Sequence, residues 1–116
     1  MFIIMKALLL CAGYGKRLMP ITKNTPKCMV KLGNKILLQL WIEKIINLGI
    51  KEILINTHYL PNVINDFLKK YKNSKINIKT TYEKKLLGTA GTLINNIDFF
   101  ENQECLFIHS DNFCED

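Results

Sequence analysis

The sequence predicts an α/β fold: an open, mainly parallel sheet with helices on both faces. Three observations predict it. Short apolar runs at residues 3–10, 53–55 and 105–108 have the length and composition of strands buried on both faces. Between them lie segments whose apolar residues recur at three- and four-residue steps, the period of a helix with one buried face. The two kinds alternate as strand, helix, strand, helix, strand, helix, strand, the order in which crossover helices join parallel strands. Ligands of such sheets bind beyond the carboxyl ends of the strands, so the residues that follow each strand are where function is to be sought.

The first strand, residues 3–10, is too short to span a bilayer and runs into Cys11-Ala12-Gly13-Tyr14-Gly15-Lys16-Arg17. Gly13 and Gly15 remove side chains, which lets main-chain N–H groups turn toward a ligand at close range. Arg17 and Lys27 add positive charge, and the first forty residues hold seven Lys or Arg and no acid. Donors and cations without an acid describe a seat for an anion, and a polyphosphate has that demand. Two common glycine loops are excluded. The dinucleotide fingerprint needs a third glycine where Leu18 stands and an acid after the second strand, where the chain has Asn56-Thr57-His58. A Walker loop needs glycine at Leu10 and Ser or Thr at Arg17. The glycines alone would equally suit a plain strand-to-helix turn with solvated cations.

The remaining elements follow in order. Ile36, Leu37, Leu40, Trp41, Ile45 and Leu48 recur at helical spacing over residues 35–48, and Gly49 closes that helix. Residues 50–57 form the second strand. Pro61 suits a first helical turn, and Val63, Ile64, Phe67, Leu68 and Tyr71 continue it. The alternation Ile76, Ile78, Thr80 predicts the third strand, residues 83–91 a loop, and residues 89–97 a short helix. The fourth strand, residues 105–108, delivers Asp111 at its carboxyl end.

The long pattern G-x-G-x-R-L-x-P-x-T-x-x-x-P-K, running from Gly13 through Arg17, Leu18, Pro20, Thr22 and Pro26 to Lys27, resembles the signature of the sugar-1-phosphate nucleotidyltransferases. Cys11, Lys16 and Cys28-Met29 depart from its commonest form without removing a charged or conformationally special position. Leu87-Gly88-Thr89-Ala90-Gly91 resembles the second motif of the family, and Asp111 its metal-binding acid.

The resemblance implies a Rossmann-like fold, the N-terminal half of a nucleotidyltransferase catalytic domain, in which a sugar 1-phosphate attacks the α-phosphorus of a nucleoside triphosphate and pyrophosphate leaves. Leu10, Cys11, Ala12, Gly13 and Gly15 would meet the nucleotide largely through main-chain groups. Arg17 would stabilise the departing pyrophosphate, Lys27 would hold phosphate oxygens, and Asp111 would hold Mg²⁺, a hard cation suited to carboxylate and phosphate oxygens. Gly88 would let the base lie against main chain, and Thr89 would cap the helix that follows. Glu83 stands where the family often contacts the base edge; a carboxylate only accepts hydrogen bonds, which matches the donors of guanine. The plainer alternatives are a surface Glu83 balancing Lys84 and Lys85, and an Asp111 that caps a turn. His109 and Asp111 could share a strand face, but no third ligand with zinc spacing accompanies them, and His58 is expected to pack.

Composition bounds the rest. A chain of 116 residues with 48% hydrophobic content suits one domain with a real core, and no second domain fits. Cys11, Cys28, Cys105 and Cys114 form no C-x-x-C pair, and reduced thiols are expected. The short apolar prefix lacks the features of a secretory signal, and no span approaches twenty apolar residues, so a cytoplasmic location without a membrane partner is expected. The net charge of +6 raises nucleic acid as a partner, but residues 98–116 hold six acids and no Lys or Arg. A basic front and an acidic rear suit a phosphate and metal site better than a duplex-binding face. The resemblance covers nearly the entire chain but about half of the family's catalytic domain. A fragment of a longer enzyme and a shortened, non-catalytic nucleotide-binding relative are therefore both open, as is homo-oligomerisation.

Overall fold

The computed structural model describes residues 5–12, 26–71, 73–101 and 104–109, with the main chain alone for Lys27, Thr89 and His109. Four parallel strands form the main sheet in the order β5-β4-β1-β6: β1 is Met5–Leu10, β4 Glu52–Thr57, β5 Asn77–Tyr82 and β6 Glu104–His109. Ala7, Leu8 and Leu9 of the central β1 are fully buried, which is why its sequence is a continuous apolar run and does not alternate.

Residues of successive parity serve opposite faces. Ala7, Leu9, Ile53 and Ile55 pack with Leu38, Ile42 and Ile45 of α1 (Leu37–Asn47) and Ile64 of α2 (Pro61–Lys70). Leu8 and Leu54 pack on the other side with Phe100, Leu93 and Phe99 of α3 (Gly88–Asn95) and α4 (Ile97–Phe100). The predicted Rossmann-like architecture, with helices on both faces, is the observed one.

The helix ends show why the segments stop where they do. At the end of α1, Gly49 takes φ +84°, its N–H donates to the Ile46 carbonyl, and Ile50 N–H donates to Ile45, so the last carbonyls are satisfied by a left-handed glycine turn. Pro61 opens α2 as expected.

Two expectations are corrected. The helix predicted over residues 35–48 begins at Leu37, because Lys35–Ile36 (β3) pairs antiparallel with Lys31–Leu32 (β2) around Gly33, at φ +67°. The Val30 carbonyl accepts the Leu37 N–H and starts the helix from that hairpin. The helix predicted over residues 89–97 is two helices, and α3 begins at Gly88, so Thr89 is its second residue and not its cap; the cap position is Leu87, with no side-chain cap bond.

Candidate functional site

The parallel register brings the carboxyl ends of the strands together: Leu10 pairs with Asn56 on one side and with His109 on the other, and Thr57 pairs with Tyr82. The segments singled out in the sequence therefore leave from one edge of the sheet. Leu10 ends β1, and Cys11 and Ala12 follow it, both buried.

Their main-chain N–H groups turn into the protein. Both donate to the Asn56 side-chain oxygen Oδ1, Cys11 at 2.6 Å and Ala12 at 3.2 Å. The same amide donates through Nδ2 to Glu83 Oε2 at 3.4 Å. Thr92 Oγ1 donates to that same oxygen, and the Leu87 N–H donates to Oε1 at 3.3 Å. Asn56, Glu83 and Thr92 are all nearly inaccessible to solvent, at 3%, 3% and 0%. Buried polar groups stay in a folded chain when their hydrogen bonds are met, and here each partner meets the needs of the next.

The main chain of Glu83 is fixed as well. Its N–H donates to the Thr57 carbonyl at 2.7 Å, which extends the pairing of β4 and β5, and its carbonyl accepts from His58 Nδ1 at 2.6 Å. His58 thus anchors the loop. The carboxyl of Glu83, expected at a base edge or on the surface, is directed into the fold and engaged by Asn56, Thr92 and Leu87. Asn56 is the residue that sequence reasoning passed over; a polar side chain closing the run Ile53-Leu54-Ile55 was its only signal.

Gly88 has φ +76°, and a Cβ built on it would meet nothing within 4 Å, so the start of α3 is open on that side. At Gly91 an added Cβ would lie 2.9 Å from Leu87 Cβ, which explains the second glycine of the motif. Lys27 begins a 3-10 turn, Lys27–Met29, after the buried Pro26. Gly13, Gly15, Arg17 and Asp111 lie outside the described residues, and among the described residues no cluster of three or more His, Cys, Asp or Glu could hold a metal ion. No described helix is long and apolar enough to cross a membrane.

Comparison with known proteins agrees with this geometry. The profile of the nucleotidyl transferase family matches residues 6–116. A mannose-1-phosphate guanyltransferase of Saccharomyces cerevisiae is 39% identical over 114 residues, covering 96% of this chain and 32% of that protein. A CTP:phosphoglutamine cytidylyltransferase of Campylobacter jejuni is 42% identical over 80 residues, covering 69% of this chain and 32% of that one. Among solved structures, HddC from Yersinia pseudotuberculosis, complexed with GMP-PN, superposes with a TM-score of 0.82 at 26% identity, covering 95% of this chain and 49% of that one. The chain spans about a third of the length of the curated relatives it matches. A profile match along nearly the full chain, on a parallel sheet whose motif segments leave from one edge, makes this protein a member of the nucleotidyl transferase family.

Proposed function

We propose that the chain is the nucleotide-binding part of a sugar-1-phosphate nucleotidyltransferase that takes GTP and releases pyrophosphate. The observation that carries this reading is the joining of the β1 loop to the Glu83 loop through Asn56 at the carboxyl edge of the sheet. A nucleotide lying across that edge would meet the basic Gly13–Lys27 segment with its phosphates and the Glu83–Gly91 segment with its base.

The transfer needs no protein nucleophile, so positioning and charge neutralisation carry it. Arg17 and Lys27 would supply cationic donors to the phosphates. Asp111 would hold Mg²⁺, which when bound neutralises phosphate charge. Gly88 leaves main chain exposed for a base to lie against. Support for guanine comes from the guanyltransferase relatives, since the Glu83 carboxyl is engaged inside the fold. A triphosphate substrate fits a cytoplasmic protein whose partners are small molecules and not nucleic acid or membrane.

Calorimetry with GTP, CTP, UTP and dTTP in the presence of Mg²⁺, paired with pyrophosphate release on addition of mannose 1-phosphate, tests this reading. GTP is expected to bind at least about tenfold more tightly than the pyrimidine nucleotides. Arg17→Ala should weaken it by a further factor of about ten or more, the worth of a lost charge-assisted hydrogen bond. Equal affinity for all four nucleotides, or none, overturns the reading; tight GTP binding without turnover selects a nucleotide-binding module.

A further inference from the structure

We propose that Asn56 is a positioning residue that locks the main chain after β1 to the Glu83 loop, so that the two halves of the nucleotide seat hold one fixed spacing. The proposal rests on the functional reading above. Its ground is the way the polar atoms are used. Asn56 Oδ1 takes both N–H groups of Cys11 and Ala12, the two residues that carry the chain from β1 toward the glycine loop. Nδ2 points to Glu83 Oε2, whose other donor is Thr92 of α3, while Oε1 takes the N–H of Leu87 at the start of that helix. One side-chain amide thus ties the end of β1, the loop after β5 and the first turns of α3.

An asparagine is needed there because the site is polar in two senses. Toward Cys11 and Ala12 it must accept; toward Glu83 it must donate. Aspartate would keep the first function and set two carboxyl groups against each other in a buried site; alanine would lose both. Either cost falls on the spacing of the loops: alanine leaves the main-chain N–H groups of Cys11 and Ala12 without an acceptor in a site closed to water, and aspartate pushes the Glu83 loop away by carboxylate repulsion.

The polarity can be reversed, which gives a decisive test. In the double variant Asn56→Asp with Glu83→Gln, the new carboxylate still accepts from Cys11 and Ala12. The new amide nitrogen, placed at the Oε2 position, donates to Asp at position 56 and to Thr92 Oγ1, and its oxygen still accepts from Leu87. Isotope-labelled full chains would be measured for amide hydrogen exchange at Cys11, Ala12 and Leu87, for GTP affinity with Mg²⁺, and for thermal unfolding.

In the wild type the Cys11 and Ala12 amides should exchange as slowly as those of β1; exchange at the rate of open loops overturns the proposal without reference to any nucleotide. Each single substitution should weaken GTP binding about tenfold or more at temperatures well below unfolding, and the double variant should recover most of the loss. Additive losses in the double variant overturn it, as does a folded Asn56→Ala that melts earlier but binds GTP as the wild type does, since that is a purely structural role. Absence of GTP binding by the wild type sinks the functional reading, and the positioning role with it; binding that is indifferent to Asn56 sinks this proposal alone.

Discussion

At the scale of single residues, the chemistry of a side chain here is set by what surrounds it more than by its type. Cys105 shows this. It sits in β6 against the cluster of Leu8, Leu54 and Phe100, and burial pushes its thiol up to about 11, with a hydrogen bond to the Leu8 main chain opposing the shift. The thiolate is the nucleophile of cysteine chemistry, so at pH 8 only about a thousandth of this thiol is reactive, against roughly a quarter for an ordinary one. Iodoacetamide at pH 8 should therefore label Cys105 in the folded chain at least about a hundredfold more slowly than in the urea-unfolded chain, read by peptide mapping. Labelling at equal rates would mean that the β6 cluster is open in solution. Glu83 carries the same lesson with a different outcome: ahead of Lys84 and Lys85 it reads as a surface acid or a base contact, and its burial against Asn56 and Thr92 makes its carboxyl an acceptor inside the fold.

At the scale of elements, the second motif is a problem of close packing at a helix start, and two effects of opposite sign meet at Gly91. Replacing a glycine inside a helix by alanine favours the helix by about 1 kcal/mol. At Gly91 the new Cβ would fall 2.9 Å from Leu87 Cβ, an atom one bond from main chain that cannot swing away. Overpacking of that kind costs about 1–3 kcal/mol, so the clash wins. Gly91→Ala should lower stability by about 1 kcal/mol and displace Leu87, whose N–H donates to Glu83. Denaturant melts and the amide shift of Leu87 check both effects; a more stable protein with an unmoved Leu87 would show that the loop yields freely.

How much of this was legible in the sequence depends on the range of the interaction. Periodicity is local, so the order of strands and helices and most of their bounds could be read from it. The β2-β3 hairpin does not show in that period, because Ile36 falls on the apolar repeat of α1 although its main chain is extended. Thr89 is the type of residue that caps a helix, yet Gly88, with its positive φ, already opens this one. The Asn56–Glu83 link joins residues 27 apart whose meeting is decided by the register of β4 and β5, and no local pattern encodes a register.

At the scale of the whole molecule, the sheet separates two kinds of polar cluster, and their separation can be tested. At the carboxyl edge lies the network around Asn56. Toward the opposite end, Lys6 is buried at 5% exposure; its Nζ donates to the Phe99 carbonyl at 2.6 Å, lies 3.0 Å from Glu52 Oε2 and sits 4.8 Å from the Phe99 ring centre. Glu52 keeps 40% of its side chain exposed and can be solvated if the pair is broken, so the ion pair contributes little. The Phe99 carbonyl is the group at risk. Lys6→Met keeps the apolar stem and removes the donor, and a partly buried carbonyl left without one costs about 1 kcal/mol, the low end of the penalty for an unsatisfied group. For a chain of 116 residues that loss lowers the melting temperature by about 4 °C for each kcal/mol. Cys11 lies five residue steps along the chain from Lys6, a rise of roughly 17 Å, beyond the distance at which substitutions usually couple. Lys6→Met should therefore lower the melting temperature and leave GTP affinity within about twofold of the wild type, whereas Asn56→Ala should change both. If the two variants lose affinity in proportion to their loss of stability, the nucleotide is sensing the fraction of folded chain and not the geometry at the carboxyl edge, and the division of the sheet into a structural end and a binding end fails.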